Sequence, residues 1–557
     1  MSRRIQIYDT TLRDGAQREG LGFSLDDKIR ILDLLDEFGV PYIEGGFPSS
    51  NPRDAEFFRR AKPRHAKLVA FGGTRRAGVR ADSDINLRTL IAAETPTVAF
   101  VGKSSRRHVV HVLGVSVEEN LAMIAESVAF AKQRGREVVF DAEHFFDAMG
   151  EDRKYALASV HAAAAAGADW IVLCDTNGGS LPAWVGRVVG ETRAALAPFE
   201  GTRIGVHTHN DSELAVANSL AAVEAGAQMV QGTINGWGER CGNANLISLA
   251  PTLTLKLAKS CVDERALRRL TELSRRASEI ANIAPDPFAP YVGAAAFAHK
   301  AGYHAAASER LEGAYEHVPP AAVGNVRRIL VSELSGRGNL RARARSLGLD
   351  VGDQEAAVLA RVKDMENRGF QLEAADGTVE LVMRRAQDGY VAPFEIVDIT
   401  VVSRTDIHKG MATKASVTLR VQADAVSTEA EGSGPVDALD RALRQTLVPR
   451  FAELERLRLV DYKVRILDPE RATAATTRVL LEAAHGDARW ITVGCSESII
   501  EASCQALLDS YELCVLRHES PRVATDGGSL NVDHATPGDA DGPSAPQGRG
   551  RNMGAAS

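Results

Sequence analysis

Paired cysteine, clustered positive charge and long apolar runs are all missing from this chain of 557 residues. Its six cysteines, at 174, 241, 261, 495, 504 and 514, form no C-x-x-C pair. That spacing argues against a disulfide framework and a structural zinc module, and it fits a reducing compartment. The formal net charge is −7, with Lys and Arg spread along the chain, so there is no electrostatic footprint for nucleic acid or an anionic membrane. The longest apolar region, "VHAAAAAGADWIVLC", is broken by His161, Gly167 and Asp169 and cannot span a membrane. The opening "MSRRIQIYDTTLRDG" runs straight into a strand-like segment without the apolar stretch and cleavage site of a signal peptide, so a cytoplasmic location is expected. A small molecule is the expected partner.

What is present is enough apolar residue, 45% of the chain, to give two or three folded units a core each. Between residues 5 and 236, eight short β-rich runs alternate with amphipathic helical stretches: "IQIYDTT", "VPYIEGGF", "KLVAFGG", "TPTVAFVGK", "EVVFDAEH", "DWIVLCDTN", "RIGVHTHND" and "MVQGTING". Near-continuous apolar strands separated by helices indicate a parallel sheet covered on both faces. Eight such units predict an α/β fold of the TIM (β/α)8 barrel type over residues 1–280. An open doubly wound sheet would carry a glycine-rich phosphate turn after its first strand, and "YDTTLRDGAQ" is not one.

Residues 281–392 read as a helical linker region with small subdomains, distinguished by "APDPFAPYVGAAAFAHKAGYHAAASERLEGAYEHVPP". From 393 to 516 the pattern becomes an α+β domain with a degenerate repeat, βββα twice, whose helical segments are "GSGPVDALDRALRQTL" and "GCSESIIEASCQALLDSYEL". It carries no titratable cluster of catalytic appearance, which argues for binding or oligomerisation. The segment 517–557, rich in Gly, Pro, Asp and Ser, is expected to be a disordered tail.

In a TIM barrel the active site lies at the C-terminal ends of the strands, which gives a shortlist: Arg13, Asp14, Glu44, Gly72, Lys103, Glu143, Thr176, His207, His209 and Asn235. In "VHTHND", His207 and His209 project from the same face of a strand, roughly 7 Å apart at Cα. Strands one and seven are separated by the eighth alone in a closed ring, so Asp14 can meet both histidines across the mouth. One carboxylate and two imidazoles form a facial set for Mn2+, Mg2+, Zn2+ or Co2+, with positions left for substrate. Thr208 is then expected to point away, and Asn210 and Asp211 to serve the turn. Asn243, in "GERCGNAN", offers an oxygen to the same ion or simply satisfies a turn.

Arg13 suits an anionic substrate group or an ion pair with Glu44 or Glu143. Glu143 suits pairing with Arg13, substrate positioning or general base work. Thr176 offers a hydroxyl to a substrate carboxylate or caps its turn. Lys103 raises the alternative of a Schiff base. His299 and His304, outside the barrel, suit proton transfer on a segment that closes over the mouth, or a structural role.

Together, "DTTLRDGAQ", "HTHND", "GERCGNAN" and "FAHKAGYHA" make a specific set, and residues 5 to about 516 resemble the 2-isopropylmalate, homocitrate and citramalate synthases. Within that family, "YDTTLRDGAQREG", "YIEGGFPSSNPRDAEFF", "AFGGTRR" and "FVGKSS" look most like the longer type of citramalate synthase. The resemblance implies condensation of acetyl-CoA with a 2-oxo acid, pyruvate for citramalate, and thioester hydrolysis, in branched-chain amino-acid (isoleucine) biosynthesis. It implies that Asp14, His207 and His209 hold the divalent metal with Asn243 as a weaker contact, and that Arg13 stabilises the oxo-acid oxygen beside Glu143. It further implies Thr176 on the substrate carboxylate, His304 as the catalytic histidine with Tyr315 near it, and a homodimer in which that segment reaches the neighbouring subunit's site. The C-terminal domain resembles the family's regulatory domain, for which an amino-acid effector such as isoleucine is expected. His304 is preferred to Glu143 as the base. Cys241 stands where isopropylmalate synthases usually have alanine; it is read as a small buried residue, with a thiol acid/base role in a retro-aldol lyase as the alternative. A reading from another class is an amino-acid-responsive binding protein with a vestigial barrel.

Overall fold

In this computed structural model, β1 (Gln6–Asp9) pairs in parallel with both β2 (Tyr42–Gly46) and β8 (Met229–Gly232), which closes the sheet. Between them run β3 (Lys67–Gly73), β4 (Thr97–Lys103), β5 (Glu137–Glu143), β6 (Trp170–Asp175) and β7 (Arg203–Thr208), in sequence order around a closed parallel barrel. The structure describes residues 4–518 apart from 301, 302, 305, 306, 308, 309, 312, 333, 334, 407–409 and 487.

The pleat decides what fills the barrel. Alternate residues face inward, so Tyr8, Tyr42, Val69, Ala99, Val139, Trp170, Val172, Cys174 and Met229 pack into one interior cluster. Following the same parity toward the strand ends, Tyr42 leads to Glu44, Val139 to Asp141 and Glu143, and Met229 to Gln231. The interior is thus apolar at mid-height and polar at the mouth. Outside, helices bury a second core against the strands. In the helix Leu25–Phe38 the side chains of Ile31, Leu32, Leu34, Leu35 and Phe38 are buried, each stabilising by about 1.5–3 kcal/mol. Ser24 and Asp27 cap its start reciprocally, and Gly39 ends it at φ 88°.

The N-terminal end of the barrel is closed by Glu137. Its carboxylate accepts from Tyr42 Oη at 2.9 Å, Lys67 Nζ at 2.7 Å, Thr97 Oγ1 at 3.0 Å and Trp170 Nε1 at 3.3 Å, with Arg203 Nη2 at 3.4 Å. Five donors from strands β2, β3, β4, β6 and β7 therefore meet one residue of β5.

Two compact units divide the chain, the first ending at Tyr390 and the second beginning at Val391. The first also holds the short parallel pair β9 (Ala298–His299) and β10 (Arg328–Ile329), and the helices Arg337–Ser346, Glu355–Asn367 and Asp376–Arg385. The second is βββα twice. Antiparallel β11 (Glu395–Asp406), β12 (Gly410–Val421) and β13 (Asp424–Gly432) precede the helix Pro435–Leu447. Antiparallel β14 (Arg458–Ile466), β15 (Thr477–His485) and β16 (Ala488–Ser496) precede the helix Ile499–His518. That last helix continues two residues into the segment expected as tail, because Cys514 and Val515 remain buried; residues 519–557, where disorder is expected, lie outside the described residues.

Candidate active site

The loop after β8 determines how the mouth is assembled. Asn243 bridges to His209, while Ala244 N donates to Thr208 O at 2.9 Å and Asn210 N to Gly242 O at 2.8 Å. This stitches "GERCGNAN" to the end of β7. Two glycines make the stitch feasible: Gly242 has φ +91° and sits against the Gly236 carbonyl, and a Cβ at Gly238 would collide with Asn243 Oδ1.

Asp14, His207 and His209 converge there, all buried. His207 Nε2 lies 3.1 Å from Asp14 Oδ2 and 3.2 Å from His209 Nε2, and His209 Nε2 lies 3.9 Å from Asp14 Oδ2. Bonds of about 2.1 Å to one cation place neighbouring ligand atoms about 3.0–3.4 Å apart, so these basic atoms already have near-coordination spacing. Asn243 supplies a second test of fit. Its Nδ2 reaches Asp14 Oδ2 at 2.9 Å and lies 3.1 Å from His207 Nε2, while its Oδ1 is buried without a hydrogen-bond partner. The two amide orientations exchange these atoms; with Oδ1 inward, the orphaned oxygen becomes a donor to the ion. The residues fit a divalent cation.

Electrostatics prepares two of the three groups for a cation as they stand; burial would lower His207, but Asp14 outweighs that and raises this imidazole toward its charged form. Burial alone would raise the Asp14 carboxyl, but the Arg13 guanidinium and His207 hold it well below the usual carboxylate range. Burial, with His207 beside it, lowers His209 to about 4, which keeps that imidazole neutral as a ligand must be. Thr208 points away, donating to Ala215 O at 2.9 Å, and Asp211 pairs with Arg240 at 2.7 Å, as the alternation predicts.

Arg13 settles on one of its two candidate partners. Its Nε donates to Glu44 Oε2 at 2.5 Å, Tyr8 Oη donates to the other Glu44 oxygen at 2.8 Å, and the guanidinium lies 4.0 Å above the Phe71 ring. Nη1 stays 3.7 Å from Asp14 Oδ2, beside the ligand cluster. Glu143 does not pair with Arg13. It forms an ion pair with Lys103 instead, because β4 and β5 place these residues in register. That pairing also engages the lysine on which a Schiff base would depend.

Thr176 Oγ1 accepts from His144 N at 2.8 Å, a turn contact that leaves its own proton to donate. Asn235, on the shortlist, belongs elsewhere: its amide bonds Ser274 O and Ser278 Oγ at 3.1 Å each. Cys241, expected to be buried, is exposed, since its loop turns outward before Gly242. His304 and Tyr315 stack with ring centroids 4.1 Å apart, both exposed, and among the described residues neither bonds to the Asp14 cluster. Reading the sequence missed Gln231 and Asp141. Gln231 Oε1 accepts from His207 Nδ1 at 2.8 Å, and its Nε2 donates to Asp141 Oδ1 at 3.0 Å. Inward parity opposite His207 was the available signal.

Comparison with known proteins agrees with this geometry. Residues 4–273 match the HMGL-like family. An (R)-citramalate synthase of Geobacter sulfurreducens is 46% identical over 517 residues, spanning 91% of this chain and 97% of that protein. The chain belongs to the citramalate synthase family. The (R)-citramalate synthase of Aquifex aeolicus is 45% identical, spanning 94% of this chain and 100% of that protein, whereas the 2-isopropylmalate synthase of Methanocaldococcus jannaschii is 31% identical over 93% and 96%. Beyond the barrel, residues 291–369 match a homocitrate synthase post-HMGL domain-like family, and residues 373–515 the LeuA allosteric (dimerisation) domain. Among the described residues, no helix is long and apolar enough to cross a membrane.

Proposed function

We propose that the barrel condenses acetyl-CoA with pyruvate and hydrolyses the resulting thioester, releasing citramalate and CoA, in a cytoplasmic branched-chain amino-acid (isoleucine) route. The observation that carries this is Asp14, His207 and His209 converging beside an arginine that Glu44 anchors. A bound Mn2+, Mg2+, Zn2+ or Co2+ supplies Lewis acidity toward the oxo acid.

The protein's own groups supply the rest. Arg13, fixed by Glu44 and Phe71, directs its free donors at the keto oxygen and stabilises the negative charge that grows there as the new carbon–carbon bond forms. Thr176 donates to the substrate carboxylate. The acetyl methyl group must lose a proton to become the attacking enolate. Glu143 is engaged by Lys103, which leaves it to orient substrate, so proton removal is assigned to the His304 imidazole with Tyr315 stacked on it. Water then attacks the thioester carbonyl and CoA leaves as its thiol.

The exposed His304–Tyr315 pair supports a homodimer in which it serves the neighbouring subunit's site. Exposed apolar residues on the edge strands β11 and β14, among them Val397, Val402, Val460 and Val464, support a self-association surface in the C-terminal unit. An amino acid such as isoleucine is the proposed effector there. CoA release measured with pyruvate, 2-oxoisovalerate and 2-oxoglutarate, with and without EDTA, tests the reading. Pyruvate should be preferred and EDTA should stop the reaction; preference for another acid, or turnover after chelation, overturns it. The exposed Cys241 motivates a lyase reading, under which CoA thioesters would be cleaved and Cys241→Ser would be inactive.

A further inference from the structure

A second group of ligating side chains lies in the C-terminal unit. His485 ends β15, and Cys514 and His518 stand one turn apart on the helix Ile499–His518, hence on one face of it. One ligating atom of each lies within 4.8 Å of those of the other two. The two imidazole rings meet at 60° with centroids 4.1 Å apart. Cys514 is buried, His485 half-buried and His518 exposed, so the group reaches solvent from one side.

Two details show nitrogen atoms poised for a ligand. His518 Nδ1 donates to the Cys514 carbonyl oxygen at 2.7 Å, which fixes the ring and leaves Nε2 with its lone pair. His485 Nε2 is buried and has no hydrogen-bond partner. Native interiors rarely leave such an atom unsatisfied, and an absent ion is one of the few explanations. The repeat gives an internal comparison. The helix of the first βββα unit has 13 residues and that of the second has 20, and Cys514 and His518 sit in the last turns of the longer one. Neither β12 nor the helix Pro435–Leu447 carries a histidine or cysteine, so this feature belongs to the second unit alone.

We propose that His485, Cys514 and His518 bind a borderline-soft divalent cation of the Zn2+ or Co2+ type, which clasps the tip of the β15–β16 hairpin to the end of the last helix. Two imidazoles and one thiolate select such an ion over Mg2+ or Ca2+, which require oxygen ligands. Bonds of about 2.0–2.3 Å set tetrahedral ligand spacings of roughly 3.3–3.8 Å, so closure requires about an ångström of side-chain movement. On binding, the Cys514 S–H bond breaks, sulfur keeps the electron pair and donates it to the cation, and the proton passes to solvent.

The test is cobalt titration of the metal-stripped full-length chain, followed by the thiolate-to-cobalt charge-transfer band in the near ultraviolet. The ligand set of the barrel mouth contains no sulfur, so the band reports this site. It should saturate by two equivalents, one for this site and one for the barrel mouth, vanish in Cys514→Ser, persist in Cys241→Ser, and saturate at one equivalent in Asp14→Ala. His518→Ala, which alters an exposed side chain, should weaken cobalt binding by about ten-fold or more and keeps the test valid if Cys514→Ser does not fold. No band in the unaltered chain, a band surviving Cys514→Ser, unchanged affinity in His518→Ala, or a band lost in Cys241→Ser would each overturn the proposal.

Discussion

His207 and Gln231 stand side by side on β7 and β8, and the imidazole donates from Nδ1 to the amide oxygen at 2.8 Å. Because that oxygen can only accept, Nδ1 carries a proton and Nε2 is the atom presented to Asp14 and to a bound cation. Asp141 holds the amide in turn. Replacing Gln231 with Leu frees the ring to rotate and should weaken metal affinity about 10–100-fold. At saturating metal kcat should recover to near its original value. Activity measured against metal concentration separates the two; a kcat that stays low at saturation refutes the positioning role.

Arg13 is held on one side by Glu44, itself fixed by Tyr8, and from below by Phe71. A lysine keeps the charge but loses the planar fork that satisfies Glu44 and the substrate together. Arg13→Lys should lower kcat by about 10²–10³ with a smaller change in KM for acetyl-CoA, as expected for a group that acts where charge develops. Glu44→Gln should lower kcat less, since Arg13 remains but is less firmly held. Steady-state CoA release on both variants decides, and equal losses in KM alone would contradict the assignment.

The eight strands and the convergence of His207 and His209 were legible in the sequence because both rest on period-two alternation, which "VHTHND" displays within four residues; Asp14 lies five residues beyond the end of β1, where alternation does not reach. The choice between Glu44 and Glu143 for Arg13 was not. Both face inward at strand ends, and the register of β4 against β5, which gives Glu143 to Lys103, leaves no local sequence mark. Gln231 differs: alternation from Met229 already places it inward, and only its pairing opposite His207 gives that position a role. Cys241 misled because residue type predicts burial poorly in a loop whose glycines turn the chain outward.

If His304 acts across a dimer interface, two inactive variants should restore one another. Asp14→Ala destroys the ligand set and His304→Ala removes the proposed base, and each alone should fall to background. Co-expressed in equal amounts, half the dimers of a twofold-symmetric enzyme are mixed and each holds one intact site, so about a quarter of full activity should return. Recovery to that level supports a shared site; none at all, with mixed dimers demonstrated by tag pull-down, places His304 in the site of its own chain.

Glu137 ties five strands at the floor of the barrel, far from the chemistry, and should matter for stability. Burial would raise its carboxyl, but Lys67 and the hydroxyl donors outweigh that and lower it from the ordinary 4.5. A carboxyl whose folded value is depressed binds its proton more readily in the unfolded chain. Its stabilisation is therefore complete above the unfolded value and is lost as pH falls from about 4.5 through the folded value. Glu137→Gln removes the charge and should cost about 1–3 kcal/mol near neutral pH. The difference from the unaltered chain should shrink on acidification below pH 4.5. Denaturant unfolding of the two proteins between pH 3 and 7 measures this directly. A constant difference across that range would mean that hydrogen-bond geometry, rather than ionisation, is what Glu137 contributes.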